Sequence, residues 1–339
     1  MRTIRYHSYG NPEQVLQVGE VAAPPAPGEG EIKVRVLARP IHPGDLLGVA
    51  GRYRSPGDTS NVAPGGSVIG FEGAGVVESV GANADNHFTP GMRVAFFPAR
   101  GAWGEVVNVS ASFAVPLPES LSTELGAQLH VIPMTAMLLM RAARAAGAKA
   151  GNAMVLTAAG SSVARIVAAI ALREGIRVVG VVRSTAGAKA LAKLLPDVET
   201  IVTEEASWQD QLPAAVGGLP VQTLLDCVGG EVASELFMRL ASGGTVISYG
   251  DLSGEPLRVQ ALAFSVRNLR IEGVSVGRWA GQSPEQRAAD VRDVLALLAD
   301  RPDLLPVIAT HDLSQVSAAV ALATRPGKLG TVLLSSNPS

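Results

Sequence analysis

The chain of 339 residues contains a single cysteine, Cys227. One thiol closes no intramolecular disulfide and builds no multi-thiolate zinc site, so disulfide-framed secreted domains are excluded and a reducing compartment is expected. Aromatic residues are scarce at 4%, and charged residues make up only 17%. The 28 basic and 30 acidic side chains leave a net charge of −2 with no long basic run, so neither a nucleic-acid nor a membrane partner is expected. Long apolar runs are missing too: the longest uncharged stretch, 125–140, is interrupted by Gln128, His130 and Pro133 and falls short of the ~20 residues that span a bilayer. Residues 1–10 carry Arg2, Arg5 and His7 instead of the ~7–15-residue apolar core of a signal peptide, so a cytosolic protein is expected. What is abundant is hydrophobic residues, 47%, enough for one large or two ordinary globular domains. Glycine is abundant as well, 37 residues with no every-third-residue repeat, so the surplus belongs to turns and close backbone approaches and not to collagen.

Two textures divide the chain. Up to about Pro118 the pattern is short alternating or β-branched segments such as 31–37 and 73–80, punctuated by Pro and Gly, which predicts an irregular β-rich domain or barrel. Helices are expected over 122–127 and 133–146. Strand-like and helix-like segments then alternate: strands at 153–157, 177–182, 198–202, 221–226 and 244–248, helices at 162–174, 186–195 and 232–240. Near-continuous Val, Ile and Leu strands alternating with helices predict an α/β architecture, a doubly wound parallel sheet covered on both faces. A strand at 270–276, an amphipathic helix at 284–299 and a last β segment at 330–334 follow, with the tail expected to return to the first domain.

The segment from Ala153 to Ala164 reads as strand, small-residue turn and helix start. Free N–H groups and the macrodipole at such a helix start bind a pyrophosphate, and small residues let the backbone come close. The three glycine places of G-x-G-x-x-G are occupied by Ala159, Ser161 and Ala164, and only Gly160 is a glycine, so the turn also reads as a tight βα connection without a ligand. Where the second strand ends, an acidic residue would bond an NAD ribose. Arg183, Ser184 and Thr185 stand there instead, a cation and two hydroxyls that suit the 2′-phosphate of NADP(H). A solvated surface arginine is the bland alternative.

From His42-Pro-Gly-Asp-Leu46 and Gly51-Arg-Tyr53 through Gly70-Phe-Glu-Gly-Ala-Gly-Val-Val77, Pro90-Gly-Met-Arg-Val94 and Pro133-Met-Thr-Ala136, the chain resembles the medium-chain dehydrogenase/reductase superfamily. Asp226-Cys-Val-Gly-Gly230, Gly243-Gly-Thr-Val-Ile-Ser-Tyr-Gly250 and Gly327-Lys-Leu-Gly-Thr-Val332 continue the match in order. Within it the zinc-independent branch of enoyl-thioester reductases and NADPH:quinone oxidoreductases is the nearest in kind. The resemblance implies a GroES-like β-rich catalytic domain, 1–132 with 279–339, around a Rossmann NADP(H)-binding domain, 133–278, with the cofactor cleft between them. It also implies a homodimer paired through the 270–276 strand.

Zinc-dependent relatives carry Cys, His and Cys as catalytic ligands at the positions of His42, Phe71 and Val131. One possible ligand of three remains, and tetrahedral zinc needs three, so no zinc is expected. Without that Lewis acid, reduction of an activated C=C remains accessible: hydride from NADPH adds to the β-carbon and a general acid protonates the α-carbon. In enoyl-thioester reductases a tyrosine does this, and Tyr53 matches it, with a cleft-edge shaping role as its alternative. His42, in place of the family's usual asparagine, is a second donor or a packed histidine. Phe71 and Trp279 are expected to bound the substrate pocket, Trp279 reading equally as a core residue. Cofactor contacts implied by the resemblance are Gly160, Ser161, Ser162 and Val163 at the pyrophosphate, Arg183, Ser184 and Thr185 at the 2′-phosphate, and Tyr249, Gly250, Asp251 and Leu252 on the nicotinamide side. Val274, Ser275, Val276 and Lys328 are late-chain contacts. Asp251, where a glycine is usual, and Ile132, where an asparagine is common, depart from the enoyl-reductase pattern. The function implied is an NADPH-dependent, zinc-free reductase of α,β-unsaturated acyl thioesters or enones, with NADPH:quinone reduction or a non-catalytic NADPH-binding role as alternatives.

Overall fold

The computed structural model describes residues 1–55, 58, 60–84 and 87–336. The chain forms two compact units, one of residues 1–131 and 282–339, the other of 132–281. The helix Gly277–Ala280 falls in the second unit, so Trp279, which the expected boundary assigned to the first domain, belongs to the other.

In the first unit β1 (Arg2–Tyr6), β2 (Gln17–Glu20), β3 (Glu31–Pro40), β4 (Ser67–Val68), β5 (Gly73–Val80), β6 (Arg93–Phe96), β7 (Val106–Ser110) and β8 (Ala114–Pro116) precede the second unit in the chain. In the second lie β9 (Ala153–Leu156), β10 (Arg177–Val182), β11 (Glu199–Val202), β12 (Val221–Asp226), β13 (Thr245–Ser248) and β14 (Arg270–Gly273); the chain then returns with β15 (Val307–Asp312) and β16 (Thr331–Ser335). The first unit builds a three-stranded sheet, β2-β1-β4, and a seven-stranded sheet, β15-β16-β3-β5-β6-β8 with β7 on β3. The long central strand β3 alternates buried and less buried residues over most of its length, and Ile32, Val34 and Val36 point into a core shared with Val77, Val94 and Phe96. Gly70 shows why glycine is spent here. It has φ +94°, and a Cβ on it would stand 2.3 Å from Cδ1 of the buried Trp103.

The second unit is one sheet of order β11-β10-β9-β12-β13-β14, parallel at every pairing. This is the order of doubly wound dinucleotide folds, whose strand direction of growth reverses beside the first strand, here β9. β9 is buried at all four residues, as a central strand covered on both faces must be. The helix Ser162–Arg173 that follows it is capped by Ser161, whose hydroxyl accepts the Ala164 N–H at 3.3 Å.

Candidate active site

The helix Pro43–Val49 begins at His42, with proline in the first turn where its missing N–H costs nothing. Asp45, one turn in, accepts the His42 backbone N–H at 3.1 Å through Oδ2, and the His42 side chain faces the Asp45 backbone N–H in the reciprocal half of a capping box. His42 Nε2 lies 2.5 Å from Glu72 Oε1, and Glu72 Oε2 accepts the Val131 N–H at 2.8 Å. His42, Asp45 and Glu72 are all buried. Burial alone would lower the His42 pKa; the Glu72 carboxylate reverses the sign and raises it, and any charge on Asp45 adds to the effect. Phe71 lies parallel to the His42 ring at 6.4 Å between centroids.

Beside this cluster is a pocket of about 200 Å³ whose lining includes Asp45, Tyr53, Phe71, Ile69, Tyr6 and Arg100. The Tyr53 hydroxyl packs over Gly44, 3.4 Å from where a Cβ on that residue would stand. Tyr53 as a whole is 69% exposed. Partial burial of the phenol raises its pKa and any charge on the nearby Asp45 raises it further, so at neutral pH it stays protonated and can donate. His42 is absent from the lining of this pocket, its ring being engaged with Glu72 and the capping box.

In the second unit several predicted cofactor residues meet at the C-terminal end of the parallel sheet. After β9, Thr157 Oγ1 donates to Asp226 Oδ1 at 2.6 Å and accepts the Cys227 N–H at 3.1 Å, tying the β9 and β12 ends together. Ala158 takes φ +44°, and Ala159 is buried, its Cβ 2.8 Å from the point where a Gly180 Cβ would stand. The space a glycine would have provided in the turn is supplied by a glycine in the adjacent strand. Gly160, Ser161, Ser162 and Val163 then open the helix and remain partly accessible. Tyr249 continues from β13, its N–H bonded to the Asp226 carbonyl, and Leu252 N–H reaches the Cys227 carbonyl. Gly250 packs so closely on Cys227 that a Cβ would lie 2.9 Å from that residue's own. Burial drives the Tyr249 phenol well above its ordinary pKa, with the Cys227 thiol contributing and a Ser161 hydrogen bond opposing. The Cys227 thiol is pushed up to about 12 by burial, so it is an inert packing group.

Arg183 is exposed at the end of β10, and Ser184 caps the next helix, Thr185–Leu194, accepting the Gly187 N–H at 3.3 Å. Val274 N–H bonds the Ser248 carbonyl, and Ser275 accepts from Gly277 N–H at 3.4 Å. Asp251 is partly buried, its Oδ1 3.6 Å from the position of a Gly229 Cβ. Val276 precedes the helix that buries Trp279 to 2% exposure. Lys328, in the first unit, donates to the Gly330 carbonyl and is near enough to His42 to oppose its protonation. Sequence reading missed Glu72 as the anchor of both His42 and Val131, and it missed Arg165. That arginine is 4% exposed one turn into the helix Ser162–Arg173, with its guanidinium on Ser162 Oγ at 2.9 Å. A lone arginine on the apolar face of that helix was the available signal.

The structure brings together the positions of the three zinc ligands of metal-dependent relatives: Phe71 faces His42, and Glu72 links His42 to Val131. Their side chains do not fit the metal, because phenylalanine and valine carry no donor atom and the His42 ring is committed to Glu72. Among the described residues no group of three or more His, Cys, Asp or Glu is placed to hold a metal ion.

Residues 28–119 match the model of the alcohol dehydrogenase GroES-like domain, and residues 162–300 match that of the zinc-binding dehydrogenase family. The mitochondrial enoyl-[acyl-carrier-protein] reductase of Xenopus tropicalis is 28% identical over 307 residues, covering 90% of this chain and 84% of its own. That of Dictyostelium discoideum is 27% identical over 338 residues, covering 96% and 92%. Among solved structures, Escherichia coli quinone oxidoreductase complexed with NADPH superposes with a TM-score of 0.84 at 25% identity, over 99% of this chain and 100% of that one. Quinone oxidoreductase of Pseudomonas syringae pv. Tomato gives 0.83 at 25%, over 99% of each. With a GroES-like unit and a doubly wound unit each matched, and two of three ligand positions without a donor atom, the chain belongs to the medium-chain dehydrogenase/reductase superfamily, in its zinc-independent branch.

Proposed function

We propose that this chain is an NADPH-dependent reductase of the activated C=C bond of α,β-unsaturated acyl thioesters or enones. The observation that carries the reading is the Tyr53 hydroxyl over Gly44 at a pocket beside which, among the described residues, no group of three or more His, Cys, Asp or Glu is placed to hold a metal ion. It is supported by relatives named enoyl-[acyl-carrier-protein] reductases along 90% and 96% of this chain. Bound NADPH would supply the hydride. The helix start at Ser161 to Val163 offers N–H groups and a positive dipole end to the pyrophosphate, with Arg165 adding a cation behind the turn. Arg183, which makes no ion pair among the described residues, and the hydroxyls of Ser184 and Thr185 suit the 2′-phosphate. Tyr53 holds a proton for the α-carbon. NADPH:quinone reduction is the second reading, favoured by the 69% exposure of Tyr53, which leaves the pocket mouth open to a flat ring.

An NADPH-consumption screen over crotonyl thioester, enones and quinones tests the proposal. Turnover of quinones alone selects the second reading, and turnover of none removes both. In the same assay Arg183→Ala is expected to weaken NADPH about 10–100-fold, the value of one or two charge-assisted hydrogen bonds, and to leave NADH unchanged. Equal losses on both cofactors would take Arg183 out of the 2′-phosphate site.

The protein is further proposed to be a homodimer through β14. This strand ends the sheet with all four residues exposed, Ile271 at 42%, and the adjacent helix Ala261–Arg267 exposes Leu262 and Val266. Arg270 and Val274 direct their N–H groups inward to Gly244 and Ser248, so the backbone groups of Ile271 point outward with no partner among the described residues, while the outward Gly273 carbonyl accepts from Arg278 Nη1 at 2.9 Å. Antiparallel pairing about a two-fold at Ile271 joins the Ile271 N–H and carbonyl of the two copies and sets Arg270 opposite the partner's Glu272. A two-fold one residue further on would oppose two Glu272 side chains. Ile271→Pro removes the outward N–H and leaves every bond to β13, so light scattering should show a monomer. A variant that stays dimeric would place the interface elsewhere.

A further inference from the structure

Asp45 is 2% exposed, yet only one of its carboxylate oxygens is used. Oδ2 accepts the His42 N–H, whereas Oδ1 is buried and has no hydrogen-bond partner among the described residues. The same residue lines the pocket that holds the Tyr53 hydroxyl. An ionised carboxylate with a buried, unpaired oxygen is among the costliest arrangements a fold can hold, whereas a carboxylic acid at that place needs only an acceptor. The groups facing it are His42 and Glu72, already paired with each other, Tyr53 and Arg100 in the pocket lining, and Lys328 close to His42.

We propose that Asp45 is kept as the un-ionised carboxylic acid, and that its unpartnered oxygen, carrying the proton, gives this pocket a hydrogen-bond donor for an uncharged ligand oxygen, a carbonyl or a hydroxyl. The inference rests on reading the Tyr53 pocket as the substrate site, and it gives the substrate's carbonyl a donor of its own, apart from Tyr53, whose proton goes to the α-carbon. The electrostatics agree: burial raises the Asp45 pKa to about 7, the nearby Glu72 charge adds to this, and His42 opposes it. Donation is therefore available below about pH 7 and lost above it. Stability follows the same sign. The folded state holds this proton over a range where the unfolded chain, with its pKa near ~3.9, has released it, so the Asp45 contribution falls as pH rises from about 4 to about 7.

Two measurements test this on the full chain. The infrared difference spectrum between wild type and Asp45→Asn, recorded near pH 5 without any ligand, should contain a protonated-carboxyl C=O band that shifts in D2O and disappears as the pH is raised through about 7. A missing band overturns the proposal, and the titration of the wild-type band serves if the variant folds poorly. The second measurement takes the NADP(H)-loaded enzyme with butyryl thioester as a dead-end ligand. Wild-type affinity should weaken tenfold per pH unit above about 7, while Asp45→Asn, whose amide still accepts from His42 and donates through Nδ2, should be flat. A flat wild-type profile with the band present overturns the donor role. Failure to turn over any enone or thioester would sink the reductase reading and leave the infrared result to decide the state of Asp45.

Discussion

Tyr53→Phe lowers kcat/KM for crotonyl-thioester reduction at least tenfold and toward ~10²-fold, the low end of what a positioned general acid contributes, while NADPH-dependent quinone reduction is unaffected. The asymmetry follows from where the proton goes. Hydride added to the β-carbon of an enoyl thioester leaves negative charge on the α-carbon and the carbonyl, and the α-carbon must be protonated before the product can leave. A quinone collects its charge on oxygen, which water protonates without help. Tyr53 suits protonation at carbon, because its hydroxyl reaches back over Gly44 and partial burial keeps the phenol protonated across the neutral range. The phenyl ring of the variant keeps the aromatic surface, so a change in KM alone would point to pocket shape and not to proton donation. Equal small losses on both substrates would remove Tyr53 from the chemistry.

The doubly wound sheet was legible because its strands are short, nearly uninterrupted runs of Val, Ile and Leu. The expected helix at 162–174 is observed as Ser162–Arg173 and the expected strand at 177–182 as Arg177–Val182. The returning segment was harder. β15, Val307–Asp312, has no fully buried residue, and its parallel pairing to β16 carries a register shift, so neither periodicity nor turn chemistry announces it. The turn after β9 looked poor in glycine because the requirement was counted inside the turn alone. The close approach is a two-sided gap, and the chain places the missing small residue at Gly180, under the Ala159 methyl. The His42 site was illegible for a different reason. Glu72 meets His42 and Val131 from 30 and 59 residues away, and no spacing rule spans such separations. Asp45 stands in a recognisable motif, but that one of its oxygens would lack a partner is a property of packing and not of pattern.

The largest loss of stability is expected at Arg39. It lies in β3 with no exposed surface, and its guanidinium donates to the carbonyls of Ala102 at 3.2 Å, Leu334 at 3.4 Å and Gly104 at 2.7 Å and to Ser336 Oγ at 2.7 Å. One planar fork thus ties β3 to the segment before β7 and to the last strand of the returning chain. Burial pulls its pKa down to about 9, and the Glu105 and Asp312 carboxylates, both paired with Arg2, pull the other way, so it remains a cation at neutral pH. Arg39→Met leaves three buried carbonyls without this donor, each costing ~1–3 kcal/mol, against relief of several kcal/mol for a cation no longer held away from water. The net expectation is a loss of about 3 kcal/mol, a fall in Tm of roughly 10 °C for a unit of this size. Arg39→Lys separates charge from geometry. A lysine retains the cation but presents a single point that cannot reach three carbonyls at once, so it should lose nearly as much as methionine. A lysine variant melting with the wild type would show that charge alone, shared with Glu105 and Asp312, holds the strands together.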